Sequence, residues 1–266
     1  MPVVPLVPVD LSIASSYDRA GKTGGPRSGL VSLAKLGKAG VAVAEMAVGL
    51  KALSDAVAAR GGDFRVTECH RDVAVQTAAR AKYDAWVAAG KPKPSSPAFD
   101  AKRMKAAFVA LPGRSGHNAG RSIDVHIGML GFPGVAKDKW LDTLWQICEP
   151  LGWEPIIKAP DEGASEAWHF DFWGELRGVK ARLGYEQVAT CGAILVGHGP
   201  FQGFGAEIQA LLCRAGFDVG QIDGLPGPKT RAALAAALKV NDAEATRILT
   251  QQDASALQRL LALPAR

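Results

Sequence analysis

The sequence has little cysteine: Cys69, Cys148, Cys191 and Cys213 are the only four in 266 residues, and none forms a C-x-x-C pair. That excludes a disulfide scaffold and a thiolate zinc site, and it fits synthesis in a reducing compartment. Aromatics make up 7% of the chain and are not interleaved with its basic clusters, which argues against a single-strand nucleic-acid face. The densest of those clusters, "AKRMK" at 101–105, is diluted by alanine and reads as solvated helix surface. No apolar run reaches the length of a membrane span, so no stable membrane insertion is expected. The first residues, "MPVVPLVPVDLSIASSYDR", have no early positive cluster and do not read as a signal peptide. The glycines of 220–227 lack a G-K-[ST] ending and a preceding strand, so they are no phosphate loop. An H-E-x-x-H helix motif is also missing.

What is present describes a folded chain. Hydrophobic residues account for 48% and charged residues for 21%, with a mean hydropathy of +0.05. These values suit a protein with a real core. The net charge of +5 and pI near 9.1 favour an anionic partner without selecting between nucleic acid, a membrane surface and a cell-wall polymer.

Periodicity divides the chain. Residues 1–35 hold many Pro, Gly and Ser without a sustained period and read as an N-terminal arm. In the following stretch, Val43, Met46, Leu50, Leu53 and Val57 recur at helical spacing until Gly61 and Gly62. "FRVTEC" alternates as a strand that delivers Arg71. A helix around "TAARAKYDAWVAAG", a Pro/Ser loop and a second short helix follow, as a cleft wall. "RSIDVHIG" alternates again, with Ile123, Val125 and Ile127 on one face and Ser122, Asp124 and His126 on the other. Trp140, Leu144, Ile147 and Leu151 form a helical stripe, and "EAWHFDFW" reads as a strand. These elements make up a first domain over 36–190. A glycine-rich linker at 191–204 is expected to lead to a compact helical bundle at 205–266, in which Asn241 with Glu244 fits a capping box and Asp253 can cap the last helix.

The chemistry concentrates in "SGHNAGRSIDVH", residues 115–126. A catalytic zinc takes three protein ligands from His, Asp or Glu and keeps a position open for water. His117, Asp124 and the distant His169 would supply that set. Spacing alone equally permits His126, which shares the strand face with Asp124; otherwise His126 lines the cleft. Glu166, three residues before His169, is placed to take a proton from an attacking water. Arg71 offers a fixed positive fork for a substrate carboxylate or oxyanion, or else a structural ion pair. Asp171, two residues after His169 on the same strand face, can orient a ligand, or else is a solvated carboxylate. His198 falls in the expected linker and is read as non-functional.

These residues resemble the zinc D-Ala-D-Ala carboxypeptidase and L-alanyl-D-glutamate endopeptidase family of peptidoglycan hydrolases, the VanY-like peptidases. The pattern S-x-H-x-x-G-x-A/S-x-D appears as Ser115, His117, Gly120, Ser122 and Asp124. The family's E-x-W-H appears as Glu166, Trp168 and His169, and its upstream arginine and glutamine look like Arg71 and Gln76. The resemblance covers about residues 40–175. It implies an α+β fold, a small antiparallel sheet with flanking helices, with one Zn2+ held by His117, Asp124 and His169, Glu166 as catalytic base, and substrate contacts from Arg71, Gln76, Ser115 and His126. A histidine, His70, stands where an aromatic often precedes the arginine. Residues 208–238 resemble the peptidoglycan-binding three-helix module through Leu212, Gly216, Gly220, Asp223, Gly224, Gly227, Pro228 and Thr230, which implies a small three-helix bundle over 205–266. Together the resemblances imply an endolysin-like monomeric peptidase, made in a host cytoplasm and acting on the cell wall after release. Its expected cut is the L-Ala-D-Glu bond, with D-Ala-D-Ala cleavage or purely structural zinc in a peptidoglycan-binding protein as alternatives.

Overall fold

The computed structural model describes residues 3–9, 15–17, 30–32, 40–106 and 108–266, with backbone alone for 15–17 and 30–32. Most of the arm expected over 1–35 lies outside them. Its described part is not all irregular: strand β1 (Leu6–Pro8) pairs antiparallel with β4 (Val41–Val43), and β2 (Ser15–Tyr17) pairs with β3 (Leu30–Ser32). Prolines interleaved with valines are compatible with a short edge strand, because the missing N–H costs nothing on an unpaired side.

Helix α1 (Ala44–Ala59) buries Met46, Leu50, Leu53 and Val57, the stripe that the spacing predicts. These side chains form one core with Ile123, Val125, Leu141, Leu144, Trp153 and Phe170. The central sheet is antiparallel in the order β5 (Val66–Glu68), β6 (Ser122–Val125), β8 (His169–Phe172), β7 (Trp153–Pro155). Helix α2 (Val73–Ala88) follows β5, its first turn capped by the Asp72 side chain accepting from the Ala74 N–H. Helix α3 (Trp140–Cys148) lies before β7.

The second short helix expected before the histidine motif does not form. Asp100 holds only one turn, its carbonyl accepting from the N–H groups of Arg103 and Met104. The segment is instead fastened to α2 by side chains, Arg80 to the Val109 carbonyl and Gln76 to the Ala110 carbonyl.

The expected linker needs a larger correction. Helix α4 (Arg177–Leu195), broken at Gly184, carries Cys191, Gly192, Ala193, Ile194 and Leu195 fully inside the protein. They belong to a second core with Trp173, Leu176 and the apolar faces of α5 (Phe204–Arg214), α6 (Pro228–Leu238), α7 (Asp242–Gln251) and α8 (Ser255–Leu261). The helical unit therefore begins near Trp173 and has five helices where three were expected from 205 onward. Asn241 does cap α7, accepting from the Glu244 N–H.

The two cores are joined by a buried ionic chain. Arg121, 1% exposed, pairs with Glu45 of α1 and lies 3.6 Å from Glu175, which in turn receives Arg214 of α5 at 2.7 Å. A chain ending at residue 195 would retain α4 but strip its partners, exposing a continuous apolar face and leaving Glu175 without Arg214. Loss of that burial is worth several kcal/mol. The truncated protein is expected to lose its cooperative thermal transition or to aggregate, as read by circular dichroism melting, whereas a chain with a true linker at 191–204 would melt unchanged.

Candidate metal centre

Strand register builds the site. In the β6–β8 pair Asp124 stands opposite His169 and Ser122 opposite Asp171. The loop before β6 brings His117 over the same face. The result is a cluster of His117, Asp124 and His169 whose donor atoms all lie within 4.8 Å of one another. Asp124 Oδ1 is 3.2 Å from His117 Nε2 and 3.2 Å from His169 Nδ1. A tetrahedral ion with bonds of about 2.1 Å places its ligands about 3.4 Å apart, so these donors fit a zinc ion.

Each imidazole is fixed by what its far nitrogen touches. His117 Nδ1 donates to the Cys69 carbonyl at 2.6 Å, since a carbonyl can only accept, and its Nε2 is left as a lone pair. His169 Nε2 faces the Asp171 carboxylate at 3.0 Å, which leaves Nδ1 for the cluster. Asp171 is in turn held by the Ser122 hydroxyl. Three electron pairs thus converge on one point, and the site calls for positive charge there. Its acid–base balance says the same. Burial lowers the His169 pKa, but Asp171 and Asp124 overcome it and push it up to about 10. Burial raises that of Asp124, yet the two histidines hold it well below the ordinary carboxylate range. A divalent cation satisfies both demands with deprotonated ligands.

Two glycines make room for this. A side chain at Gly116 would collide with the Ser122 hydroxyl and the Asp171 carboxylate, and Gly120, at φ 64°, sits against Leu6 and the Val43 backbone. Asn118, fully buried, ties the loop to its neighbours: it donates to the Arg71 carbonyl at 2.6 Å and accepts from the Gly113 N–H.

The other expected site residues divide. Glu166 lies in the turn before β8, not on the strand, with a left-handed φ of 70°. A non-glycine residue held there is strained, a feature that clusters at functional positions. Burial pushes its carboxyl above the usual range, opposed by His169. Arg71 reaches to 4.0 Å of Asp124 Oδ2 but is gripped by Glu68 at 2.8 and 2.7 Å, with Gln76 accepting from Nη1 at 2.8 Å. Gln76 is completely buried and stands behind Arg71. The Ser115 hydroxyl accepts from the His117 N–H, shaping the loop. His126 falls just past the end of β6 and is not in the donor cluster. Glu68, Cys69 and Gly116 were not singled out from the sequence: Cys69 acts through its carbonyl, and a Glu three residues before an Arg has no local signature.

His70 is 5% exposed, its ring centroid 4.5 Å from that of His198. His198, assigned to a linker, is thus packed against the strand that leads to Arg71.

No protein-family model and no curated protein matches the sequence. Among solved structures, one that is similar is the vancomycin-resistance D,D-pentapeptidase VanY from a VanB-type cassette, a point mutant in complex with Zn(II). The two share 17% identity over 65% of this chain and 88% of that one, with a TM-score of 0.36. At that level the likeness carries no inference about this chain.

His117→Ala, Asp124→Ala and His169→Ala are each expected to lower bound zinc from about one per chain to a small fraction, because one of three protein ligands disappears; metal analysis of the purified proteins measures it. His126→Ala should retain the metal. A separate prediction concerns pH. Burial, then the charge of His198, lowers the His70 pKa from 6.5 to about 4. A histidine whose folded pKa is depressed leaves stability intact above its unfolded value and loses it on acidification. Its share is about 1.4 kcal/mol per pH unit between pH 6.5 and about 4. Urea titrations across that range should show a flatter dependence for His70→Phe than for the native protein.

Proposed function

We propose that this protein is a zinc-dependent peptidase acting on the stem peptide of peptidoglycan. The observation that carries the metal-dependent part is the convergence of His117, Asp124 and His169, each imidazole locked by a partner on its far side. The substrate class rests on the resemblance of the three motifs in order, and the net charge of +5 suits an anionic polymer. Residues 205–266 are proposed to hold that polymer.

A zinc ion bound to this set supplies Lewis acidity and eases ionisation of a water. The chain's own residues do the rest. Glu166 takes the proton from the attacking water and returns it to the leaving amine; its elevated pKa brings base and acid forms nearer to neutral pH. Three of the five N–H donors of Arg71 are engaged by Glu68 and Gln76, which leaves one on each terminal nitrogen for a developing oxyanion or a substrate carboxylate. Cys69, Asp171 and Ser122 keep the two imidazoles oriented through the cycle.

Within this reading the internal L-Ala-D-Glu bond is the proposed cut, because breaking it detaches whole cross-links. Purified sacculi digested with the zinc-loaded protein, analysed by mass spectrometry, decide it. New amino-terminal D-Glu supports the internal cut, and released D-Ala supports terminal cleavage. No product at all, with full zinc occupancy, overturns the peptidase reading in favour of a structural metal.

Glu166→Gln keeps the size of the side chain but cannot accept the proton. Turnover is expected to fall by roughly two to four orders of magnitude, with zinc content and melting temperature preserved. Muropeptide release, zinc stoichiometry and thermal melting on one preparation check it. Near-normal release would remove Glu166 from the mechanism, and loss of zinc would make it a ligand.

A further inference from the structure

Along the sequence the aromatics and the basic clusters stand apart, but the fold brings some of them together. Helix α2 and the segment 91–108 fastened to it form a wall that belongs to neither core. Of the sixteen residues of α2 only Gln76 is buried, and Tyr83, Trp86 and Phe108 are in neither apolar core. These three rings make a cluster of their own, about 10 Å or more along the helix axis from Gln76. Tyr83 lies 5.8 Å from Trp86 and 5.7 Å from Phe108 between centroids, at interplanar angles of 48° and 75°. Phe108 is 59% exposed, and Val87, one turn after Tyr83, is exposed as well. Apolar surface gathered in water outside any core marks a binding face.

Charge is concentrated on the same wall. Residues 80–105 hold seven Lys or Arg against two acids, Asp84 and Asp100, an excess equal to the net charge of +5 of the whole chain. Both acids are taken up within the wall, Asp84 by Arg80 at 2.8 Å and Asp100 by Arg103 at 3.8 Å. Lys82, Lys91, Lys93 and Lys102 are exposed, and among the described residues none of the four forms an ion pair. Cations also face the rings, Arg80 at 5.0 Å from the Tyr83 centroid and Lys91 at 5.9 Å from that of Trp86. The surface is held in shape before anything binds: Trp86 donates to the Pro92 carbonyl at 2.9 Å, the Lys105 N–H to the Lys82 carbonyl at 3.1 Å, and Arg80 to the Val109 carbonyl at 2.8 Å. Pro92, Pro94 and Pro97 restrict the loop between these ties.

We propose that this wall is a docking surface for the glycan strand of peptidoglycan, with Tyr83, Trp86 and Phe108 against sugar rings and the lysines around them facing carboxylates of the peptides that the strand carries. It rests on the peptidase reading above and adds a polymer contact on the sheet-bearing half. The C–H face of a pyranose is apolar and packs on the electron-rich face of an aromatic ring. Rings inclined to one another, two of them with a cation over one face, make an uneven apolar surface that suits such faces. Bases of a single-stranded nucleic acid call for open rings that can each stack a base along a groove. The wall adds no group to the chemistry and sets where the polymer lies.

Co-sedimentation of the zinc-loaded full chain with insoluble sacculi, in the cold and across a salt series, tests this. The native protein is expected to sediment. Phe108→Ser should weaken binding about tenfold with zinc content and melting temperature retained, and Phe108→Tyr should restore it. Lys91→Glu combined with Lys93→Glu should weaken it too and flatten its salt dependence. On sacculi stripped of their stem peptides the Phe108 effect should persist and the lysine effect disappear. Equal sedimentation of the native protein and Phe108→Ser, or none by the native protein, overturns the docking surface and leaves the peptidase reading standing. Tighter binding of a single-stranded oligonucleotide, lost in the same variants, overturns it in favour of nucleic acid. Sedimentation that depends on Phe108 while neither sacculi nor soluble stem peptide yields a product overturns the peptidase reading alone.

Discussion

The pairing of β6 with β8 is the constraint on which the site depends. Side chains alternate along a strand, so a slip of one residue would send both Asp124 and Ser122 into the core and bring Ile123 to the polar face. In the observed register two polar pairs stack across the strands, Asp124 with His169 and Ser122 with Asp171. The first pair can hold a metal and the second keeps the first in line. The histidine loop joins them only because Gly116 passes directly over the Ser122–Asp171 contact. The hydrophobic alternation that buries Ile123 and Phe170 thus sets the geometry of the polar side as well.

Two carboxylates within this small volume are driven in opposite directions. Burial acts on both, but Asp124 lies against two imidazoles that hold it ionised, while Glu166 keeps the effect of its burial. An ionised ligand beside a more basic carboxylate is the division of labour that hydrolysis by an activated water needs. The left-handed backbone at Glu166 belongs to the same arrangement. Its carbonyl accepts the His169 N–H at 3.0 Å, so the strained turn fixes Glu166 relative to the third donor.

Much of this could be read from the sequence because it depends on local spacing. The helical stripe of α1, the alternation in β6 and the cap at Asn241 each follow from a few neighbouring residues. The three donors were proposed from a short motif and a second one 45 positions away. What could not be read depends on contacts between distant segments. Glycines at 197, 199 and 203 look like a flexible linker, yet Gly113 fits against the Pro200 backbone with no space for a side chain, so the turn is held against the loop that leads to the histidine motif. Arg121 likewise gave no sign that it would be buried, since its acceptors, Glu45, Glu175 and the Trp173 carbonyl, come from before and after it in the chain.

The burial of Arg121 bears on how such a chain can change over time. It stands one residue before β6, and its acceptors are shared between the sheet-bearing half and the start of the helical half. An exchange of the helical half for a foreign domain at the glycine-rich turn would sever Arg214 from Glu175 and leave an unmatched acid beside an enclosed guanidinium. Recombination that preserves the metal site must therefore carry Glu175 and Arg214 along with α4, or replace Arg121 and Glu45 together. The seam along which these two halves can be traded lies within the buried charge network, and the glycines that look like a hinge are not that seam.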